Sequence, residues 1–233
     1  MSIRLTRRSL AAASALLALA GTLGASDALA QAKKDSLVLA MALEPPGLDP
    51  TAGAASAIGE VTLYNIYETL TKIQTDGSTR PLLAESWTVS PDLKTWTFKL
   101  RADARFHNGE PFDAQAVKFS FERAGAKDST NKDKATFANI ERIDTPDAHT
   151  VVLHLKDGDP DLLFELGQAT AIIVEPKSAG SNGTKPVGTG PFKLDAWSKG
   201  SSVTLARWDD WRQAKNVKLR RVVMRFEIGR AHV

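Results

Sequence analysis

The sequence predicts an α/β fold that contains several antiparallel strand pairs and no internal repeat. One observation is two-residue alternation in segments 95–100 and 150–156, which is typical of half-buried strands. Another is the helical segment 113–124, where apolar side chains recur four residues apart. The third is composition: 42% hydrophobic and 24% charged residues support a folded core and exclude a disordered or collagen-like chain.

Short apolar runs bounded by turn residues predict the strands in chain order. Residues 36–42 are mostly apolar and are predicted to form a buried strand. Residues 44–50 hold three Pro and one Gly, which exclude a helix and a central strand, so this segment is predicted to be a loop. Further strands are predicted at residues 88–89 and 95–100, which flank a hairpin turn, and at residues 150–156, 192–196, 202–207 and 219–226.

Helical spacing and turn residues place the remaining elements. An imperfect apolar stripe predicts a helix within residues 54–70, and Asp113 is predicted to cap a helix that runs through Ala124. A short helix is predicted to open at Asp159 or Pro160. The predicted irregular segments are turns at Asp76-Gly77 and Asn108-Gly109, a loose linker at residues 177–185, and a backbone bend at Gly188-Thr-Gly-Pro191.

The motifs that carry catalysis or metal binding are absent from the sequence. The chain has no Cys, which excludes disulfides, iron–sulfur clusters, thiolate zinc sites and Cys nucleophiles. No G-x-S-x-G, H-E-x-x-H or S-x-x-K motif occurs. His149 and His154 lie on opposite faces of a predicted strand, and His107, beside a turn, is predicted to lie at the surface. The sequence therefore predicts no catalytic residue, no metal site and no cofactor.

The charge pattern gives no indication of a nucleic-acid partner. Arg4, Arg7 and Arg8 against Asp27 leave residues 1–30 with +2 of the formal net charge of +3. The rest of the chain is therefore close to neutral, and no run of Lys and Arg is interleaved with aromatic residues. We expect no binding to nucleic acid.

Residues 1–30 have the layout of a secretory signal peptide: a basic start, an apolar stretch at 10–24, and a small-x-small cleavage motif. The motif Ala28-Leu-Ala30 predicts that the mature protein begins at Gln31. The apolar stretch is shorter than the roughly 20 residues of a bilayer-spanning helix. An arginine pair precedes it, so the Sec and twin-arginine routes both remain open. Either route predicts a periplasmic protein.

The last seven residues, 227–233, are predicted to be an artefact. Back-translation of Glu-Ile-Gly-Arg-Ala-His-Val gives a DNA sequence that contains the start of a widely used sequencing adapter. The natural product is then expected to continue past Phe226, which would make this chain an N-terminal fragment.

Four sequence blocks, in order, carry a resemblance to a known family. They are Leu48-Asp-Pro50, YNIYETL at 64–70, PLLAESWTVSPDLKTWTFKLRADARFHNGEPFDAQAVKFSFER at 81–123, and VGTGPFKLDAW at 187–197 with Trp208-x-x-Trp211. Together they resemble the bacterial solute-binding protein family 5, the extracytoplasmic binding proteins of peptide, glutathione and nickel ABC importers. The resemblance spans residues 36–226, and its motifs specify the scaffold better than the ligand.

The resemblance implies a periplasmic-binding-protein-like (type II) fold, in which two lobes close over a solute. Residues 36–70 and 187–226 would form the main sheet of the first lobe, and residues 71–186 a subdomain inserted in it. The second lobe would be missing from this chain. The implied function is not enzymatic: a monomeric protein captures peptides or similar small solutes and delivers them to a membrane permease with its ATPase.

The resemblance also places a ligand contact at Glu44-Pro45-Pro46-Gly47. In peptide-binding members of the family the equivalent stretch offers backbone groups to an extended peptide, as in strand addition. Pro45 and Pro46 lack an N–H, and two lost neutral hydrogen bonds are worth about 1–3 kcal/mol together. Peptide is the leading expectation, with a smaller amphiphile, an opine or a metal chelate as alternatives. Glu44 would favour a cationic or amine-bearing group; the alternative is that it faces solvent.

Two other function classes remain open at this stage. One is an exported hydrolase whose catalytic residues lie beyond this chain, which the missing nucleophile motifs disfavour. The other is a solute sensor or chaperone built on the same fold. Genes for a permease and an ATPase beside this one would favour the importer, whereas a kinase gene would favour the sensor.

Overall fold

The computed structural model describes residues 35–227. The predicted signal peptide with its cleavage residues Ala28, Ala30 and Gln31 therefore lies outside the described residues, as do residues 228–233 of the predicted artefact. Within residues 35–227 no helix is long and apolar enough to cross a membrane.

Residues 35–227 contain ten strands and four α-helices, of which the elements at residues 71–73, 79–81, 134–138 and 140–147 are not predicted from the sequence. The strands are β1 (Ser36–Met41), β2 (Thr71–Ile73), β3 (Thr79–Pro81), β4 (Ala84–Val89), β5 (Thr95–Leu100), β6 (Ile140–Asp147), β7 (Thr150–Leu155), β8 (Phe192–Ser198), β9 (Ser202–Arg207) and β10 (Arg221–Phe226). The α-helices are α1 (Ser56–Thr62), α2 (Ala114–Gly125), α3 (Lys134–Ala138) and α4 (Leu162–Glu165).

The first sheet has the strand order β1-β10-β9-β8, in which β1 is parallel to β10 and the other pairs are antiparallel. Side chains of β8, β9 and β10 pack with Leu48, α1 and Tyr67 in one apolar core. The predicted strand at residues 36–42 forms, but the prediction that it is buried is wrong. Leu37, Val38 and Leu39 are 39%, 54% and 41% exposed, because β1 is an edge strand paired only with β10.

The second sheet is antiparallel throughout, with the order β4-β5-β7-β6. The predicted alternation is confirmed: the inward residues of β5 and β7 are buried while their neighbours face outward, the buried ones being Trp96, Phe98, Leu100, Val151, Leu153 and Leu155. Helix α2 covers this core with Val117 and Phe121. Its predicted cap is also confirmed, since Asp113 Oδ1 accepts a hydrogen bond from the Ala116 amide at 2.9 Å.

The helix predicted within residues 54–70 is wrong beyond Thr62. The chain turns sharply at Tyr64, which has a φ of 58°, and residues 64–66 form a turn instead of further helix. Long-range backbone pairing explains the change, because Gly190 N–H donates to Ile66 O at 2.9 Å and a Cβ on Gly188 would lie 2.0 Å from the same oxygen. The helical spacing correctly indicates that Ile66 is buried. The backbone conformation of residues 64–67 is determined instead by the close approach of residues 188–191. The predicted bend at this segment is confirmed.

Residues 177–185 are more ordered than the predicted loose linker. They contain a 3₁₀ turn at Ala179–Ser181, and Asn182 is fully buried. Asn182 Oδ1 accepts a hydrogen bond from the Val187 amide at 3.2 Å. Side-chain hydrogen bonds from polar residues hold this segment in place. Composition alone does not distinguish such an ordered segment from a solvated linker.

Candidate ligand-binding loop

Residues 42–47, called the 42–47 loop below, connect β1 to the buried segment Leu48-Asp-Pro50. Leu43 is 63% exposed and Pro46 is exposed as well, whereas Pro45 is buried and Glu44 is half-buried. The loop therefore presents Leu43 and Pro46 on its surface.

The Glu44 carboxylate is held by the hairpin that joins β8 to β9. Trp197 Nε1–H donates to Glu44 Oε1 at 2.9 Å, and Gly200 N–H donates to Oε2 at 2.9 Å. Lys199 Nζ lies 3.1 Å from the centroid of the Trp197 ring, in a cation–π contact with the same indole that donates to Glu44. The alternative that Glu44 simply faces solvent is wrong, because both of its oxygens accept hydrogen bonds within the chain.

The backbone of the 42–47 loop is left open. None of its amides or carbonyls is among the hydrogen-bond partners described for residues 35–227. Because Pro45 and Pro46 have no N–H, the loop has more acceptors than donors. It can accept hydrogen bonds from a bound molecule more readily than it can donate them.

Buried contacts fix the chain immediately after the loop. Leu48 N–H donates to Gly183 O at 3.0 Å. Asp49, 4% exposed, accepts hydrogen bonds from the amide and hydroxyl of Thr51 and pairs with Arg123 of α2, whose Nη2 lies 2.6 Å from Asp49 Oδ2. The ion pair connects the loop to the helix that covers the second sheet.

Tyr67 lies behind this ion pair in the first core. It is fully buried, and burial raises the pKa of its hydroxyl well above the ordinary value, with a further increase from the Asp49 charge that Arg123 opposes. Tyr67 therefore stays neutral and contributes packing close to the base of the loop.

His107 joins the second sheet to the start of the first, and it is half-buried and hydrogen-bonded where the sequence predicts a surface residue. Its backbone N–H donates to Gly188 O at 2.8 Å, its Nδ1 accepts from Gly188 N–H at 3.3 Å, and its Nε2 pairs with Gly190 O at 3.0 Å. The ring also meets Trp208 edge-on, with centroids 5.0 Å apart. Burial lowers the pKa of His107 to about 4, and nearby Lys193 lowers it further against the opposing Gly190 bond.

The partners of the loop lie beyond the reach of local sequence patterns. Arg123 is 74 residues from Asp49, and Trp197 is 153 residues from Glu44. Both partners lie within sequence blocks that carry the family resemblance, so the resemblance is the one feature of the sequence that points to them. The predicted site residues Glu44, Pro45, Pro46 and Gly47 lie together on one loop. Their contact with a ligand stays a prediction.

The mixed α/β fold and the four ordered sequence blocks are those expected of the solute-binding proteins that the sequence resembles. The family profile described as "Bacterial extracellular solute-binding proteins, family 5 Middle" matches residues 78–227, so the chain belongs to this family.

Individual relatives agree with the family profile. The chain is 34% identical over 218 residues to the "Probable D,D-dipeptide-binding periplasmic protein DdpA" of Escherichia coli K12, covering 85% of this chain and 41% of that protein. It is 30% identical to the "Glutathione-binding protein GsiB" of Salmonella paratyphi A, covering 91% of this chain and 41% of that one.

A solved structure extends the likeness to three dimensions. The binding protein AgaA of A. tumefaciens R10, in complex with agropinic acid, superposes with a TM-score of 0.76 at 32% identity, covering 82% of this chain and 39% of AgaA. The chain thus spans about 40% of the length of the relatives that it matches.

Proposed function

We propose that this chain belongs to the periplasmic substrate-binding component of an ABC importer, which captures a peptide or similar small solute. The protein delivers the solute to a permease and ATPase complex in the inner membrane. It reaches the periplasm by the Sec or twin-arginine route and acts as a monomer, without binding nucleic acid. The observation that carries the proposal is the family match over residues 78–227.

The proposed lobe arrangement follows the two sheets. Residues 36–70 and 187–226 contribute the first lobe's main sheet, and residues 71–186 the inserted subdomain. A second lobe would correspond to the part of the relatives that this chain does not cover. Relatives with this scaffold are transport binding proteins, which supports a binding role over an enzymatic one.

The 42–47 loop is the proposed solute contact. It continues from β1, whose outer edge is unpaired within residues 35–227, and its own backbone groups have no hydrogen-bond partner within the same residues. An extended solute can lie along this edge and hydrogen-bond to loop carbonyls. Pro45 and Pro46 remove two donors, which favours a solute rich in N–H groups over one that needs amides from the protein.

Titration of the protein produced from its complete gene tests the function. The panel contains a D,D-dipeptide, glutathione, agropinic acid and, as a control, a neutral sugar. We expect saturable binding of at least one member in calorimetry, with a Kd of about 1 μM, and no response to the sugar. Recovery of hydrolysed solute would instead indicate an enzyme, and binding of none of the three would contradict the proposed solute class.

Pro46→Val tests the loop itself. The change restores one backbone N–H at an exposed position with little change in shape, so extended peptides should bind about 3- to 10-fold more tightly. Pro160→Val is the matched control, since Pro160 is exposed in a loop of the proposed inserted subdomain. Equal peptide affinities for the wild type and both variants would remove the loop from the binding site.

Glu44→Gln separates two roles of the carboxylate. If Glu44 pairs directly with an amine of the solute, amine-bearing solutes should lose about tenfold or more in affinity and others should not. If Glu44 only anchors the loop to Trp197 and Gly200, all solutes should weaken alike. Calorimetry with amine-bearing and acetylated forms of one peptide distinguishes these outcomes.

A further inference from the structure

A cavity of about 320 Å³ lies at the opposite end of β8 from Glu44. Its wall includes Pro191, just before β8, whereas Trp197 and Gly200 hold Glu44 beyond the other end of the strand. A seven-residue strand is about 20 Å long, so the cavity is separate from the 42–47 loop. The charged and aromatic residues that line the cavity are Tyr64, Glu68, Lys72, Arg101, Trp211 and Arg212.

The cavity is built around a buried ion pair. The side chains of Arg212 and Glu68 are 6% and 2% exposed. Arg212 Nη1 and Nη2 donate to the two Glu68 oxygens at 2.7 and 2.6 Å, which is the bidentate arrangement that fixes a guanidinium in one orientation. Glu68 therefore occupies the edge of the guanidinium formed by Nη1 and Nη2. The side edge, formed by Nε and Nη2, still has N–H groups for a second acceptor.

Two buried donors at this cavity have no acceptor. Arg212 Nε–H and the neighbouring Trp211 Nε1–H are both buried, and neither has a hydrogen-bond partner among residues 35–227. An unpaired buried N–H costs about 1–3 kcal/mol, so an acceptor for both would be stabilising. A carboxylate or phosphate has several oxygens with which to meet adjacent donors.

The charges around the cavity favour an anion. Arg212 is balanced by Glu68, and Arg101 pairs with Asp103 through Nε at 2.8 Å. Lys72 takes part in none of the ion pairs among residues 35–227, and its Nζ lies 5.1 Å from the centroid of the Tyr64 ring. One positive charge in the wall is thus left for a ligand to neutralise.

We propose that this cavity binds a small oxyanion, a carboxylate or phosphate, through Trp211 Nε1–H, the side edge of Arg212 and the Lys72 ammonium. The site is additional to the proposed solute contact at the 42–47 loop and does not depend on it. An occupied site would join the 208–213 turn to β2, because Trp211 and Arg212 lie in the turn and Lys72 lies in β2.

The test titrates sodium acetate and, separately, sodium phosphate into the protein produced from its complete gene, with sodium chloride keeping the ionic strength constant. Calorimetry and thermal unfolding are followed for the wild type, Trp211→Phe and Lys72→Met. Both variants retain the Arg212–Glu68 pair that supports the local fold. Lys118→Met is the matched control, because Lys118 forms a surface pair with Glu122 and does not line the cavity.

We expect saturable binding of one oxyanion with a Kd of about 1 mM or tighter. Trp211→Phe and Lys72→Met should each weaken it about tenfold, while Lys118→Met leaves it unchanged. The acetate and phosphate arms show which oxyanion the cavity prefers. The proposal is overturned if neither anion gives a saturable response, or if all three variants bind as the wild type does. Solute affinity is measured separately, so failure here leaves the proposed function standing.

Discussion

The two four-stranded sheets differ in how completely the described residues cover their apolar side chains. In β4-β5-β7-β6, Phe98, Val151 and Leu153 are all fully buried beneath α2. In β1-β10-β9-β8, the edge strand leaves Leu37, Val38 and Leu39 between 39% and 54% exposed. The second sheet thus has a complete core within residues 35–227, whereas the first has an open edge that leads into the 42–47 loop. Closed packing supports the scaffold, and the open edge is where another segment or molecule can bind.

The largest expected effect comes from one substitution made in both sheets. Leu153→Ala, at a fully buried position of β7, should lower the free energy of unfolding by about 2–5 kcal/mol because it leaves a cavity. Leu39→Ala, at a position 41% exposed, should cost about 1 kcal/mol or less. Chemical denaturation of both variants measures the difference. A loss at Leu39 as large as that at Leu153 would mean that β1 is covered in solution.

An intermediate effect is expected at His107, which joins the two sheets. Its pKa in the folded protein is about 4, below the ordinary 6.5, so between these pH values the unfolded chain binds a proton that the folded chain does not. The resulting stability is complete above pH 6.5 and is lost as the pH falls toward 4, by roughly 3 kcal/mol in the free energy of unfolding.

Denaturation at several pH values checks this expectation. His107→Gln should show a smaller loss of stability over the same pH interval, while His149→Gln, at an exposed turn, should behave as the wild type. If His107→Gln and the wild type lose stability equally as the pH falls, His107 does not control the pH dependence.

The smallest effect is expected at the start of α2, which covers the closed sheet. Asp113→Ala removes the acceptor of the Ala116 amide and should cost about 1 kcal/mol. Asp113→Asn retains a side-chain oxygen and serves as the control, with a loss of a few tenths of a kcal/mol at most. Thermal unfolding measures both, and an equal loss for the two variants would mean that the lost charge, not the missing acceptor, is responsible.

The sequence predicts all four strands of the open sheet but misses β6 of the closed one, whereas it predicts the burial of side chains better in the closed sheet, for a physical reason. Alternation in β5 and β7, the Asp113 cap and the glycines at 77 and 109 are local signals, and the structure confirms each. The exposure of β1 depends on its place at the end of the strand order, which no local pattern encodes. The prediction that the first helix continues to residue 70 is wrong because Gly188 and Gly190 pack against the backbone of residues 65–66.

The candidate loop was predictable in position but not in its contacts. Its prolines and the family resemblance identify residues 44–47, whereas the hydrogen bonds from Trp197 and Gly200 to Glu44 arise from a hairpin more than 150 residues away. Long-range polar contacts of this kind depend on the completed fold, so residue type alone does not distinguish a ligand-binding carboxylate from one that anchors a loop.

Amide hydrogen exchange tests the central claim, that solute binds at the open edge, most directly. The protein from its complete gene is compared with and without a saturating amount of the solute that calorimetry identifies. We predict slower exchange at the amides of Leu43, Glu44 and Gly47 on binding, with unchanged exchange at Val151 and Leu153 in the closed sheet. Unchanged exchange in the 42–47 loop while the solute is bound would contradict the account.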